Sequence, residues 1–408
     1  MTPRFTSKEI HFLKTDSDGL NIKPPETYFS DLLLIDAPGL IAFEKRLDQA
    51  AIPDGKFLCA VIQISLKDPE ATREITGQAF EAVFSSFLDH DRGIWENLDE
   101  TSFILAFWDY ENEEKASRII VSLKEGLSRG ARADVLAGTA FFPYHDFPRS
   151  KAVANALKAI DHAAFFGPGA LIGFDGISLN ISGDRLYHLN EYSLAVKEYE
   201  EGIRNRPADI NLINSLGVCF AVSGELDKAR DQFEAAMKIN PDEIMVIYNI
   251  GLLHQINEDP DKAVAYLRKA HAVNSAVFEV ELLLGHLLFK KDRFHQALPH
   301  IEAAGRIDPK SSLVYRIKGE IFLSQNEPEK AGCEFNTAIK LNPSDAVSLS
   351  GYAKSLELQD KNLGIALTFA KNSVALEPDN PLFRERLKTI REKIEGVPPQ
   401  EEDIIKTA

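Results

Sequence analysis

A repeat with a period of about 34 residues dominates the second half of the chain. Glycines recur at this spacing at Gly183, Gly217, Gly251, Gly285 and Gly319. Alanines keep the same spacing from Ala195 to Ala331, and prolines keep it from Pro207 to Pro343, with Ser275 in the one missing proline position. A fixed period of this length is typical of a solenoid, in which each unit packs against its neighbours. The second half is therefore predicted to be a stack of similar units.

Each unit is predicted to contain two amphipathic helices joined by a short turn. In the unit from Ile210 to Glu243, Gly224 breaks the helical pattern and separates the two helices. The small residues Gly217 and Ala229 allow the two backbones to approach closely, and Phe233 is expected to fill the space beside them. These residues therefore predict how a hairpin packs, and they say nothing about a ligand.

The pattern of the units resembles the tetratricopeptide repeat, with a small residue in each helix and a proline at the end. This resemblance predicts an all-α superhelical solenoid of six hairpins over residues 176–379, beginning near 176, 210, 244, 278, 312 and 347. A capping helix is expected at 380–396 and a disordered tail at 397–408. In the sixth unit the small-residue pair Ala353 and Ala366 is one position further apart than in the other units, so one residue is inserted near Asp360–Asn362.

The resemblance also implies a concave groove, lined by the first helices, that binds a protein or peptide partner. The positions that would face this groove are Asn180, Asp184, Asn214, Val218, Tyr248, Leu252, Leu282, His286, Arg316 and Glu320. They do not reproduce the Lys/Asn/Arg clamp by which some relatives hold a carboxyl terminus, because the matching positions are Asn180, Asp184, Ser215 and Glu279. For any one of these residues a solvated helix face is an equally good interpretation.

Helical and strand-like segments alternate in the first half of the chain, between residues 31 and 175, after an N-terminal extension over residues 1–30. Strands are expected at Phe57–Leu66, Ile94–Trp108 (as a hairpin turning near Asp99–Glu100), Val135–Phe142 and Ala170–Phe174. Helices are expected at Arg73–Leu88, Glu113–Leu127 and Ser150–Phe165. This order indicates an α+β domain with a ferredoxin-like sheet.

Four short strings in this order resemble the GGDEF domain of diguanylate cyclases, a relative of the nucleotide cyclase catalytic domain. They are Asp36–Leu40, Val61–Ser65, Leu98–Phe103 and Ile160–Ala163. In that family the first helix, a metal-binding strand, the signature hairpin and a late helix occupy the corresponding places. The resemblance implies a dimerising or regulatory domain fused to the solenoid.

The resemblance also implies that this domain has lost its activity. Cyclisation requires acidic ligands for two divalent cations, and the two degenerate metal positions hold Gln63 and Ser102. The product-binding motif is replaced by His90–Gly93, which disfavours a cyclic-dinucleotide site. Two alternatives remain: the domain is a nucleotide sensor that regulates the solenoid, or a shifted alignment brings Asp99 or Glu100 to a metal position and leaves residual cyclase activity.

Composition excludes several other classes of function. A formal net charge of -16 disfavours nucleic acid and anionic membrane surfaces as partners. The chain shows no signal peptide and no CxxC pair, which suits a cytoplasmic, bacterial interaction protein, with a homodimer as a further expectation.

His295 and His300 are separated by one position too many for a zinc-protease motif. The sequence thus predicts no catalytic residues, no metal site and no cofactor.

Overall fold

The computed structural model describes residues 10–14, 25–66, 92–131 and 133–396. The predicted helix Arg73–Leu88, the first half of the segment His90–Gly93 and the predicted tail 397–408 lie outside these residues. The chain divides into two compact units. The first runs from Lys14 to Ile239, and the second combines the residues up to Leu13 with the chain from Asn240 onward.

The first unit contains a five-stranded sheet in the order β2-β3-β1-β4-β5. The central strand β1 (Phe57–Leu66) is antiparallel to both β3 (Ser102–Trp108) and β4 (Ala133–Phe142). Strand β2 (Gly93–Asn97) forms a hairpin with β3, whereas β5 (Leu171–Gly173) pairs with β4 in parallel. The predicted strands and the hairpin are therefore present at their expected places.

Helices cover the two faces of this sheet. Side chains of β1 alternate between two cores, so that Phe57 lies in one core and Leu58 in the other. The helices Pro38–Gln49 and Ala152–Ala164 pack on the first face, and the helix Glu113–Ala131 packs on the second. An α+β domain with a mixed sheet is thus observed.

One glycine permits a very close approach between the sheet and a helix. A Cβ atom built at Gly138 in β4 would lie 2.0 Å from the backbone nitrogen of Ile160 and 2.5 Å from the carbonyl carbon of Ala159. Both atoms belong to a helix backbone, which cannot rotate away as a side chain can. The sheet can therefore pack at this distance only because residue 138 has no side chain.

Six helical hairpins and a final helix, Pro381–Glu395, follow the sheet. Hairpin 1 consists of the helices Gly176–His188 and Tyr192–Asn205, and hairpin 2 of Ile210–Val222 and Leu226–Ile239. Hairpin 3 consists of Ile244–Ile256 and Pro260–Val273, and hairpin 4 of Phe278–Lys290 and Phe294–Ile307. Hairpin 5 consists of Ser312–Ser324 and Pro328–Leu341, and hairpin 6 of Ala346–Leu358 and Leu363–Leu376. Hairpins 1 to 5 begin at the predicted residues, and hairpin 6 begins one residue early. Hairpins 1 and 2 belong to the first unit, and hairpins 3 to 6 belong to the second.

The turn inside each hairpin contains one residue with a left-handed backbone. These residues recur at the interval of the repeat, at Asn190, Gly224, Glu258, Asp292, Asn326 and Asp360, with φ between 51° and 84°. Hairpin 6 has a second left-handed residue, Asn362, with φ of 50°. The extra residue predicted near Asp360–Asn362 is therefore absorbed in the turn, and the helices keep their packing.

The repeated glycines lie against a large side chain in the second helix of the same hairpin. A Cβ atom would lie 2.4 Å from the Tyr199 ring at Gly183, 2.6 Å from the Phe233 ring at Gly217 and 2.8 Å from the Phe335 ring at Gly319. The rings are fully buried. The predicted role of the glycines, close packing of the two helices around a ring, is confirmed.

Polar contacts join the sheet to hairpin 1 within the first unit. Asp175, the residue before hairpin 1, accepts hydrogen bonds from the backbone N–H groups of Ile177 and Ser178 at 3.0 Å and caps the helix. The almost completely buried Lys158 forms an ion pair with Glu198 at 2.6 Å. Only Phe174 and Asp175 separate the last strand from hairpin 1.

Candidate functional site

In the first unit, Lys14 is bound by side chains of hairpin 1. Its ammonium group donates to Asp184 Oδ1 at 2.7 Å and to the Tyr199 hydroxyl at 2.6 Å. The same group lies 3.8 Å from the centre of the Tyr187 ring, over its face. A carboxylate and an aromatic face together are well suited to a primary ammonium group. We name Asp184, Tyr187 and Tyr199 the lysine site.

Burial keeps the two phenols of the lysine site protonated. It raises the pKa of Tyr187 to about 12 and raises that of Tyr199 well above its ordinary value, with the nearby Asp184 adding to the effect on Tyr199. The Tyr199 hydroxyl therefore donates to Asp184 Oδ1, at 2.7 Å, while it accepts from Lys14. The lysine site thus carries one negative charge for one positive charge.

In the second unit, Asn249 binds the backbone of Leu13. The Leu13 N–H donates to Asn249 Oδ1 at 2.8 Å, and Asn249 Nδ2 donates to the Leu13 carbonyl oxygen at 2.7 Å. Asn249 is completely buried in the first helix of hairpin 3, and Leu13 is also buried. Because the Asn249 amide binds only the backbone N–H and C=O groups of Leu13, it recognises an extended segment without selecting its side chain.

Two of the predicted groove positions lie at these contacts. Asp184 is the carboxylate of the lysine site. Tyr248 precedes Asn249 in the same helix and is completely buried; burial raises its pKa, while a backbone group of His11 acts in the opposite direction. Within the first unit Asp184 thus contacts Lys14, and within the second unit Tyr248 lies beside the residues that precede Lys14.

Four predicted positions present almost no side-chain surface in this structure. They are Asn214, Val218, Leu252 and Leu282, each at most 1% exposed. Buried side chains of this kind pack against neighbouring helices and so hold in place the helices that carry the contact residues. Their role in partner binding stays a prediction.

Three predicted positions form a polar group on hairpins 4 and 5. Burial, together with the positive charges of Lys290 and Arg316, lowers the pKa of His286 to about 4. Burial raises the pKa of Glu320, against the opposing effect of Arg316. Arg316 itself donates to Asp345 Oδ1 at 3.3 Å. This group offers charge to a partner, and its role in binding stays a prediction.

The remaining predicted position, Asn180, lies beside a cavity of about 560 Å³ at the junction of hairpins 1 and 2. Arg206 and Asp209 also line this cavity and form an ion pair at 3.3 Å. Within the described part of the chain, the Asn180 Oδ1 atom is buried without a hydrogen-bond partner. The role of Asn180 in partner binding stays a prediction.

Several contact residues were absent from the sequence prediction. Asn249 could have been noticed, because it is a polar residue within the otherwise apolar stretch from Ile244 to Leu253. Tyr199 occupies a packing position of the repeat, which hides its second role as a hydroxyl donor. Lys14 carries no local signal, since its partner Asp184 is 170 residues away.

The two degenerate metal positions are direct neighbours in the sheet. Gln63 in β1 is paired with Ser102 in β3. Ser102 is completely buried, and its hydroxyl has no hydrogen-bond partner among the described residues. Asp99 lies in the exposed turn, where its carboxylate accepts from the Thr101 N–H at 2.8 Å. The paired side chains are thus an amide and a hydroxyl.

The string Ile160–Ala163 has a structural role in this chain. Asp161 is buried and accepts hydrogen bonds from the backbone N–H groups of Phe29 at 2.6 Å and Ser30 at 2.9 Å. Burial raises the pKa of Asp161 to about 7, although these hydrogen bonds act against the shift. The carboxylate thus fixes the segment that enters the sheet domain.

Profiles of the tetratricopeptide repeat match residues 182–244, 246–275 and 282–346. Together with the six hairpins, these matches show that the chain carries tetratricopeptide repeats in a helical solenoid, preceded by a small α+β region with a five-stranded sheet. Repeats of this class support a protein-interaction scaffold. A search of curated proteins gives no match.

Three solved structures are similar to part of this chain. The APC/C hetero-tetramer Cut9–Hcn1 is 19% identical, with 53% of this chain and 43% of that chain covered and a TM-score of 0.45. YrrB, a tetratricopeptide protein with an unusual peptide-binding site, is 22% identical, with coverages of 43% and 90% and a TM-score of 0.37. The type IV pilus biogenesis factor PilW is 16% identical, with coverages of 52% and 98% and a TM-score of 0.45. This chain therefore spans less than half of the Cut9–Hcn1 chain.

Within the residues that the structure describes, none of the helices combines the length and the apolar character needed to span a bilayer.

Proposed function

We propose that this chain is a non-catalytic scaffold that binds an extended segment of a protein partner on the first helices of its hairpins. The observation that carries the proposal is the pair of hydrogen bonds between Asn249 and the Leu13 backbone, at 2.8 and 2.7 Å. These bonds occupy both polar groups of one residue and would serve any extended segment equally well. The chain's own residues 10–14 thus stand where a partner segment would lie.

The side chains of that segment indicate which partner sequences would fit. Phe12 and Leu13 are buried, and Lys14 contacts the lysine site. A partner segment bound at Asn249 would therefore carry apolar residues, and a segment bound at the lysine site would carry a lysine. Because Asp184 accepts charge-assisted hydrogen bonds, an acidic or neutral residue in place of the lysine would bind more weakly.

A peptide-binding experiment tests this proposal. An open variant, in which Ile10–Lys14 is replaced by five glycine and serine residues, is titrated with a fluorescent peptide of residues 9–15. We expect saturable binding, and we expect Asn249→Ala in the open variant to weaken it about 10-fold, because two hydrogen bonds of roughly 0.5–1.5 kcal/mol each are lost. Fluorescence anisotropy measures both affinities.

A second substitution in hairpin 3 serves as the control. Asn257→Ala removes an exposed asparagine from the turn that follows the same helix and is expected to leave the affinity unchanged. Equal binding by the Asn249→Ala and Asn257→Ala variants would show that the backbone contact does not select the peptide. Absence of binding by the open variant itself would contradict the proposed function.

We also infer that the α+β region is a degenerate GGDEF-like domain with a regulatory or dimerising role. Its support is the direct pairing of Gln63 with Ser102, the two positions at which the family resemblance calls for acidic metal ligands. An amide and a hydroxyl do not replace two carboxylates as ligands for divalent cations. The domain is therefore expected to make no cyclic nucleotide.

Incubation of the full chain with GTP or ATP and Mg²⁺ or Mn²⁺, followed by chromatography, checks the expected inactivity. No cyclic product is expected from the native chain. The variant Gln63→Asp/Ser102→Glu is a useful comparison, because it restores carboxylates at both positions without changing the paired strands. A cyclic product from the native chain would refute the inferred loss of activity.

A further inference from the structure

A buried glutamate lies between two histidines in the second unit, far in sequence from the peptide contacts. Glu281 is in the first helix of hairpin 4 and its side chain is 1% exposed. His300 Nδ1 lies 2.7 Å from one carboxylate oxygen, and His271 Nδ1 is hydrogen-bonded to the other. The two imidazole rings meet edge to face, with centres 4.9 Å apart.

The repeat itself shows that this polar group departs from the packing rule. At the positions equivalent to Glu281 in hairpins 3 and 2, the chain has Ile247 and Ile213. At the positions equivalent to His271 in hairpins 2 and 1, it has Met237 and Ile203. A carboxylate and an imidazole therefore replace apolar positions of the repeat. A buried carboxylate is costly unless it is compensated, so its presence here requires a partner for its charge.

We propose that His271, Glu281 and His300 form a binding site for a divalent transition-metal ion, of which Zn²⁺ is the best fit. One ligand atom from each residue lies within 4.8 Å of the other two. A zinc ion takes nitrogen and oxygen ligands at roughly 2.0–2.2 Å, so the three ligand atoms would close around the ion when it binds. This site is independent of the proposed peptide-binding function.

The donor atoms decide which metal is preferred. Two imidazole nitrogens and one carboxylate are typical of zinc and other borderline transition metals, whereas Mg²⁺ and Ca²⁺ prefer oxygen ligands alone. Three protein ligands leave one tetrahedral position for a water molecule. The His271 side chain is 39% exposed, which gives solvent and metal a path to the otherwise buried carboxylate.

Metal binding requires that the two Nδ1 atoms be free of protons. In the metal-free geometry both Nδ1 atoms are hydrogen-bonded to the Glu281 carboxylate. When a metal binds, each Nδ1 gives any proton that it carries to solvent and offers its lone pair to the ion, and each Nε2 carries the one proton of the neutral ring. The Glu281 carboxylate then exchanges its two hydrogen bonds for one metal bond, and the positive charge of the ion compensates the negative charge of the carboxylate.

Isothermal titration calorimetry of the full, untagged and chelator-treated chain with ZnCl₂ tests the proposal. We expect one strongly bound ion per chain and at least a roughly 100-fold loss of affinity in both His271→Gln and His300→Gln. The matched control is His295→Gln, which removes an exposed histidine from the same helix as His300. That variant is expected to bind Zn²⁺ as the native chain does.

Absorption of Co²⁺-loaded protein gives a second readout, because tetrahedral Co²⁺ absorbs visible light much more strongly than Co²⁺ in water. The visible band is expected for the native chain and the His295→Gln variant and is expected to disappear with His271→Gln. If the His300→Gln variant does not fold, the comparison of the native chain with the His271→Gln variant is sufficient, because His271 is partly exposed. Zinc affinity that is equal in the native chain and His271→Gln, or no binding by the native chain, would overturn the proposal.

Discussion

Replacing Ile10–Lys14 by glycine and serine is expected to raise the affinity of the chain for a peptide of the same sequence by about 100-fold. A tethered segment competes at an effective concentration of about 1 mM. We take a Kd of about 10 µM for the isolated segment, which corresponds to a binding free energy of roughly 7 kcal/mol. The tethered segment then weakens the apparent affinity for added peptide by the ratio of its effective concentration to this Kd. The native chain is therefore expected to be largely closed to a partner.

A single charge reversal isolates the contribution of the lysine site. Lys14→Glu places a carboxylate beside Asp184, so that the ion pair at 2.7 Å becomes a repulsion. This variant should therefore show a large part of the increase in peptide affinity that is expected for the open variant. Lys45→Glu makes the same charge change at an exposed residue of the sheet domain and should leave the affinity unchanged. Equal affinities of the native, Lys14→Glu and open variants would mean that residues 10–14 do not compete with a partner.

Substitution of Gly138 by alanine is expected to unfold the sheet domain. The new Cβ atom would lie 2.0 Å from the Ile160 nitrogen, so the helix Ala152–Ala164 would have to leave the sheet or the strand would have to shift. Overpacking against a backbone costs more than the usual range of about 1–3 kcal/mol, and a whole domain has only about 5–15 kcal/mol of stability. Thermal unfolding followed by circular dichroism, together with soluble yield, measures the effect.

The same substitution at Gly364 is the matched control. A Cβ atom at Gly364 has no neighbour within 4 Å, and alanine is the better helix former by up to about 1 kcal/mol. Gly364→Ala is therefore expected to keep or slightly raise the melting temperature. A Gly138→Ala variant that melts within about 2 °C of the native chain would show that the sheet and helix are not held as closely as described.

Sequence reasoning was most successful where packing repeats along the chain. Gly217 and Phe233 belong to the same hairpin, and their contact recurs in other hairpins, so the period reveals both the fold and the hairpin boundaries. The inserted residue of hairpin 6 was also predictable, because it changes the spacing of Ala353 and Ala366. Local and periodic contacts are thus available to a reader of the sequence alone.

The contacts that carry the proposed functions are neither local nor periodic. Leu13 and Asn249 are 236 residues apart, and an asparagine that reads backbone leaves no complementary side chain in the sequence. Glu281 is 10 residues from His271 and 19 from His300, spacings that match no metal motif, because the three residues are on three helices. Only the fold brings these groups together.

The polar contacts between the sheet and hairpin 1 determine how the protein should be cut for study. A fragment that ends at Asp175 would leave Lys158 as a buried cation without Glu198, and it would separate Asp31 from Arg185, which bind at 2.6 Å. A boundary near Ile239 keeps all of these pairs in one piece. Fragment-based pull-down and crystallisation are therefore better designed around residues 14–239 than around the visible change from strands to helices.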